Sequence, residues 1–269
     1  MISLKGHSAL ITGSTAGIGR AMAESLAEAG ANIFLHGLAN DNEARDSMAA
    51  VQKHGVQCQL ITGDLSGPTE EAVDQLFQSA IEANPSIDIL LSNAGTYNEP
   101  DFLEVDYATF EKTMRLNVFS HFFLVQRFAR KWVEEKVQGR VLLTGSINGS
   151  LAEPAHSIYD TSKGVVEAMV KTLCVSLAPH GIRVNGLAPG LFRTPLTSAA
   201  LDQPGITEWM KLHTPNGNVP GPEVCGPLAA FLVSDLASHI QGQMHLVDGG
   251  MSAWQQPDPP DSFLSQYQS

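Results

Sequence analysis

The stretch TGSTAGIGRAMAESLA, Thr12 to Ala27, decides the fold. It continues the apolar run SALIT, residues 8–12, and opens into the amphipathic stretch GRAMAESLAEAG. Gly13, Gly17 and Gly19 stand where a strand must turn sharply into a helix. Without side chains there, a pyrophosphate can approach the backbone, and a helix start offers free N–H groups and a positive dipole. Glycines also serve close packing alone. A strand before them and a helix after them is the setting that dinucleotide binding requires.

Working outward, short apolar runs alternate with longer amphipathic ones. NIFLH (32–36), QLIT (59–62), IDILLS (87–92), RVLLTG (140–145), IRVNGL (182–187) and MHLVD (244–248) read as further strands, with helical patterns such as EEAVDQLFQSAIEA between them. Near-continuous apolar strands separated by helices imply a parallel sheet covered on both faces. The expectation is a single α/β domain of the doubly wound Rossmann type, with seven parallel strands over residues 1–251. Residues 252–269 form a Pro-, Gln- and Asp-rich tail, expected to be disordered or to dock on a neighbouring subunit through Phe263 and Leu264.

The chain of 269 residues carries a net charge of −12 and no basic run, which argues against a nucleic-acid or anionic-membrane surface. Cys58, Cys174 and Cys225 are far apart and lack metal-ligand spacing, so free thiols in a reducing compartment are expected, with no metal. No apolar stretch is long enough to span a membrane, and no signal-peptide pattern opens the chain. A cytoplasmic protein is the reading.

The spacing TGxxxGxG resembles that of the classical short-chain dehydrogenase/reductase family, and the similarity runs from about residue 5 to 250. Asp64 in GDL falls where the family contacts adenine, followed by Leu65. The family's NNAG appears as Ser92, Asn93, Ala94 and Gly95, a departure at the first position. Asn117 lies in LNV, Ser146 thirteen residues before Tyr159, and Pro189, Gly190 and Thr194 form the PGxxxT turn. VDGG closes the series at Val247 to Gly250. The resemblance implies a cofactor cradle of Gly13, Ser14, Thr15, Gly17, Ile18, Gly19, Asp64, Leu65, Asn93, Ala94, Gly95, Pro189, Gly190 and Thr194, completed by Tyr159 and Lys163.

It also implies a chemistry: Tyr159 as general acid/base, Ser146 holding the reacting oxygen, Lys163 on the nicotinamide ribose, and Asn117 supporting a proton path to that lysine. A phenol with a pKa near 10 is a poor base at neutral pH. Moving it to about 7 corresponds to roughly 4 kcal/mol. Residues four apart share a helix face, so Lys163 is expected to lower the Tyr159 pKa, with oxidised nicotinamide adding a second positive charge.

The end of the second strand reads FLHGLAND, with no acidic or basic residue at the position that discriminates the cofactor. A 2′-phosphate wants Arg or Lys there, so NAD is favoured, with His36 and Arg45 as the residues that would admit NADP. The segment is similar to that of bacterial 3-hydroxybutyrate dehydrogenases. The positions at which those enzymes hold a carboxylate fall on Tyr97, Asn148 and His156, and none of their residues is kept. The ending VDGGMSAWQQP is similar to that of bacterial glucose 1-dehydrogenases. Substrate contacts are expected from Tyr97, Asn98, Asn148, Glu153, His156 and Phe192, under a lid over about residues 195–220 that carries Trp209 and His213. Arg193 is a further candidate, for binding an anion.

A sugar or polyol, oxidised at a secondary alcohol or hemiacetal, is the preferred small-molecule substrate. A 3-oxoacyl or 3-hydroxy acid enzyme and a non-catalytic dinucleotide sensor are the alternatives. The helical pattern from Asp106 to Lys136 carries five phenylalanines, which suits a homo-oligomer, a tetramer by the family's habit.

Overall fold

The computed structural model describes residues 2–97 and 99–254. The expectations for Asn98, Phe263 and Leu264 fall outside those residues. In chain order the elements are β1 (Ser8–Ile11), α1 (Gly17–Glu28), β2 (Asn32–Gly37), α2 (Asn42–Gln52), β3 (Cys58–Thr62), α3 (Thr69–Ala83) and β4 (Ile89–Ser92). Then come α4 (Tyr107–Met114), α5 (Ser120–Glu135), β5 (Arg140–Thr144), α6 (Ser157–Leu177), β6 (Arg183–Pro189), α7 (Ser198–Leu201), α8 (Ile206–Leu212), α9 (Gly226–Val233) and β7 (Met244–Val247).

The seven strands form one parallel sheet in the order β3-β2-β1-β4-β5-β6-β7. Side chains alternate across it. Leu10, Phe34, Leu90, Val141 and Leu143 face a core shared with α3, α5 and α6. Ala9, Ile11, Ile33, Leu35, Ile89 and Leu91 face a second core shared with α1 and α9. Burial on both faces explains why the strands read as continuous apolar runs. The order reverses between β1 and β4, so the connections that leave their carboxyl ends run to opposite sides and open the crevice in which such sheets hold ligands.

The pattern expected as one helix from Asp106 to Lys136 is divided. A π-helical turn, Arg115–Phe119, separates α4 from α5, with the Ser120 N–H donating to the Arg115 carbonyl. Asn117 lies inside that turn and is fully buried. Its side chain accepts from the Thr96 N–H (2.9 Å) and donates to the Thr96 carbonyl (2.8 Å) and the Ser162 hydroxyl (3.0 Å). One residue of extra helical length aims the amide at the crevice, as π-bulges at functional positions do. Of the five phenylalanines only Phe128 joins the core, against Phe77 and Trp132; Phe110, Phe119, Phe122 and Phe123 are partly exposed.

Candidate active site

The glycine turn and the end of β4 are locked together. The Thr12 hydroxyl accepts from the N–H groups of Asn93 (2.8 Å) and Ala94 (3.0 Å). The Asn93 amide donates to the carbonyls of Thr12 and Gly13, both at 3.0 Å. Gly13 and Gly17 adopt φ of +59° and +54°, where L side chains are strained. A Cβ on Gly19 would lie 2.2 Å from the Gly13 carbonyl oxygen, so the helix start meets the turn at a distance only glycine permits. Ser14 differs from its expected role. Its fully buried hydroxyl donates to the Ile11 carbonyl (2.7 Å) and accepts from the His36 N–H (3.0 Å), which braces β1 to β2.

Above this turn lies a cavity of about 760 Å³. Gly13, Thr15, Gly17, Ile18 and Gly19 line it from the turn after β1 and the start of α1, Asp64 and Leu65 from the loop after β3, and Asn93, Ala94 and Gly95 from the loop after β4. Pro189, Gly190 and Thr194 close it after β6, and Ser146, Tyr159 and Lys163 stand at its reactive end. The cavity joins the whole expected cradle except Ser14, and the glycine floor leaves backbone N–H groups open to a pyrophosphate, so these residues fit a dinucleotide.

His36, Gly37 and Leu38 form the wall after β2, and Leu38 is 75% exposed. Burial pushes the His36 imidazole down to about 4, so it is neutral at physiological pH. Arg45 is occupied elsewhere, donating to the Asn40 carbonyl (2.9 Å) and the Asn42 side chain (2.7 Å). The Asp64 carboxylate accepts from the Ser66 N–H at 2.8 Å, and hydrogen bonding to Ser66 holds its pKa below the usual range.

At the reactive end the Ser146 hydroxyl accepts from the Asn148 N–H at 3.1 Å and hydrogen-bonds the Tyr159 phenol. The Lys163 ammonium donates to the Thr144 carbonyl at 2.9 Å and lies 5.5 Å from the centre of the Tyr159 ring. A Cβ on Gly95 would sit 3.3 Å from Asn117 Oδ1 and 3.8 Å from Lys163 Nζ, so Asn117 and Lys163 flank the same glycine. All four expected catalytic residues therefore converge.

The electrostatics correct one expectation. The chain's own atoms push the Tyr159 phenol up, not down. Burial is the largest cause; the carboxylates of Asp160 and Glu153 add to it, and the Ser146 hydrogen bond opposes it. Lys163 is itself pushed down to about 8 by burial, and its ammonium is turned to Thr144. Lys163 is still mostly protonated at neutral pH, but its ammonium is directed at the Thr144 carbonyl, and the Tyr159 phenol stays raised by its own burial.

Of the expected substrate residues, Tyr97 and Phe192 line the cavity, while Asn148, Glu153 and His156 stand beside it. The rings of Tyr97, His156 and Tyr159 form an edge-to-face cluster with centroids 5.5 to 6.3 Å apart. The Asn148 amide is committed to Glu153 (3.0 Å) and Asp160 (2.8 Å), so it shapes the wall and presents no free donor. The Tyr97 hydroxyl donates to the Leu196 carbonyl at 2.7 Å and ties the β4 loop to the segment after β6. Arg193 is paired with Asp202 (2.5 Å) and Thr207 (3.1 Å).

Residues 13–252 match the family model described as enoyl-(acyl carrier protein) reductase. This chain belongs to the short-chain dehydrogenase/reductase family. It is 35% identical over 251 residues to an L-rhamnose 1-dehydrogenase (NADP(+)) of Thermoplasma acidophilum, covering 93% of this chain and 98% of that one. It is 32% identical to a 5-keto-D-gluconate 5-reductase of Escherichia coli, covering 93% and 97%. A gluconate 5-dehydrogenase from Burkholderia cenocepacia, solved with NADP and tartrate, superposes with a TM-score of 0.85 at 31% identity, covering 94% and 98%. As a short-chain dehydrogenase/reductase the protein is an NAD(P)-dependent oxidoreductase acting on CH–OH groups.

Two features of this dehydrogenase site escaped sequence reasoning. Glu99 caps α6: its carboxylate accepts from the N–H groups of Ile158 (3.0 Å) and Tyr159 (2.8 Å), while the residue preceding the helix makes no side-chain cap. It comes from a distant loop, so no local capping pattern announces it. His121 lies fully buried on α5, with Nε2 2.9 Å from the Ala94 carbonyl. That contact assigns the ring proton to Nε2 and leaves Nδ1 without a hydrogen-bond partner among the described residues. A histidine on an apolar helix face reads as ordinary core.

Proposed function

We propose that the protein is an NAD-preferring dehydrogenase of a sugar or polyol, oxidising a secondary alcohol or hemiacetal carbon. The observation that carries the chemistry is the convergence of Ser146, Tyr159, Lys163 and Asn117 at one end of a glycine-floored cavity. Bound nicotinamide supplies hydride transfer and, when oxidised, a positive charge. The Ser146 hydroxyl fixes the reacting oxygen, and Tyr159 takes its proton in oxidation or returns it in reduction. Lys163, held at Thr144, is placed to bind a ribose hydroxyl beside the phenol.

The sugar reading is supported by the rhamnose and ketogluconate enzymes among the relatives. Preference for NAD is supported by the wall after β2: Leu38 at the rim, a neutral His36, and Arg45 engaged elsewhere leave that wall without a cation for a 2′-phosphate. The rhamnose enzyme is named for NADP(+) and the gluconate 5-dehydrogenase was solved with NADP, which makes this a sharp point of test. The same reading takes the segment over residues 195–220, latched by Tyr97, as a lid. It takes the protein to be cytoplasmic and its assembly to be a homotetramer, the assembly supported by the partly exposed Phe110, Phe119, Phe122 and Phe123.

The test is absorbance at 340 nm with NAD and NADP across sugars, polyols, hydroxy acids and acyl thioesters, for the native chain and for Tyr159→Phe. Turnover of a sugar or polyol with NAD, lost by roughly 10²–10⁴-fold in the variant while NADH binding is retained, is the expected result. Unchanged turnover in the variant refutes the role of Tyr159, and turnover only with NADP refutes the cofactor assignment.

A further inference from the structure

Two carboxylates stand against one buried lysine around Tyr159. Glu153 is 54% exposed at its side chain; one oxygen accepts from the Asn148 amide at 3.0 Å and the other lies 3.7 Å from His156 Nε2, open to solvent beside it. Asp160 follows Tyr159 on the same helix and accepts from Asn148 and from the Glu153 N–H (2.7 Å). Both carboxylates act on the phenol, opposing the appearance of negative charge there.

The cations that could offset them are all accounted for. Residues outside the described set (Met1, Asn98 and 255–269) contain no Lys or Arg, so every such cation of this chain is in view. The cavity is lined by Lys112 and Lys163 alone among them. Lys112 belongs to the opposite end, where its charge acts on Asp64. Lys163 is buried against the Thr144 carbonyl. Arg193 is neutralised by Asp202.

We infer that the substrate is uncharged, an aldose or polyol lacking carboxylate and phosphate, and that Glu153 is the residue that enforces this choice. The inference rests on the sugar-dehydrogenase reading and narrows it. A neutral sugar offers hydroxyl donors to which an exposed carboxylate is a strong acceptor. An aldonate brought to the same wall meets like charge with no buried arginine to hold it, and like-charge juxtaposition is how sites exclude wrong partners.

The test compares kcat/KM for neutral aldoses and polyols, for the matched aldonates and keto-aldonates, and for an acyl thioester, in the native enzyme and in Glu153→Gln and Glu153→Lys. Glu153 is exposed, so both variants are expected to fold. The expected result is a native preference for the neutral compound, reduced roughly tenfold in Glu153→Gln and further in Glu153→Lys, chiefly through KM for the anion. A native enzyme that turns over aldonates as well as aldoses overturns the inference while leaving the sugar reading intact. A preference unchanged in both variants overturns the role of Glu153. Turnover of the thioester alone overturns the sugar reading itself.

Discussion

The buried His121 makes stability at mild acid pH a direct measure of the site's architecture. Its imidazole, near 6.5 in an unfolded chain, is pushed down to about 3, first by burial and then by the charge of Lys163. Between those values the unfolded chain binds a proton that the native chain refuses. Stability therefore falls as pH drops below about 6.5, by up to about 1.36 kcal/mol per unit. From pH 7 to pH 5 the loss assigned to His121 is about 2 kcal/mol. His36, pushed down to about 4, adds a loss of about the same size over that interval. Together these are a large fraction of a typical native stability of about 5–15 kcal/mol. The perturbation is His121→Gln, whose amide can still donate to the Ala94 carbonyl but cannot titrate. Urea unfolding at pH 7 and pH 5 for both proteins isolates the effect: the variant should lose about 2 kcal/mol less than the native chain. Equal losses in the two proteins would refute the placement of a neutral imidazole beneath the cofactor cavity.

Lys163 and Glu99 allow similar tests. The lysine is pushed down to about 8 from 10.5, so at neutral pH its burial costs the native state about 3 kcal/mol. Lys163→Met should abolish turnover yet unfold at a higher urea concentration at pH 7; a lower midpoint counts against the assigned burial cost. Glu99→Ala removes the acceptor for the Ile158 and Tyr159 N–H groups and should cost about 1 kcal/mol in stability. It should also lower kcat with little change in NADH affinity measured by fluorescence titration. Glu99→Gln, which keeps one acceptor oxygen, should recover part of that kcat, and no difference between the two variants would deny the capping role.

What the sequence by itself determined is what short-range physics encodes. Apolar runs of strand length, separated by amphipathic stretches, allowed a sheet buried on both sides, and the glycines after SALIT required a turn that no other residue type fits. Tyr159 and Lys163 could be paired for the same reason, since residues four apart on a helix must share a face, whereas Ser146, on a separate loop, could be named only through the family resemblance. What only the tertiary structure decided are contacts between segments far apart in the chain. Asn117 reaches the site because a π-turn redirects α5, and Glu99 caps a helix some sixty residues away. Ser14 leaves the cradle because β2 claims its hydroxyl. The pKa of Tyr159 inverted for a related reason: helical spacing announces Lys163 as a neighbour, but burial and the surrounding carboxylates belong to the folded chain as a whole.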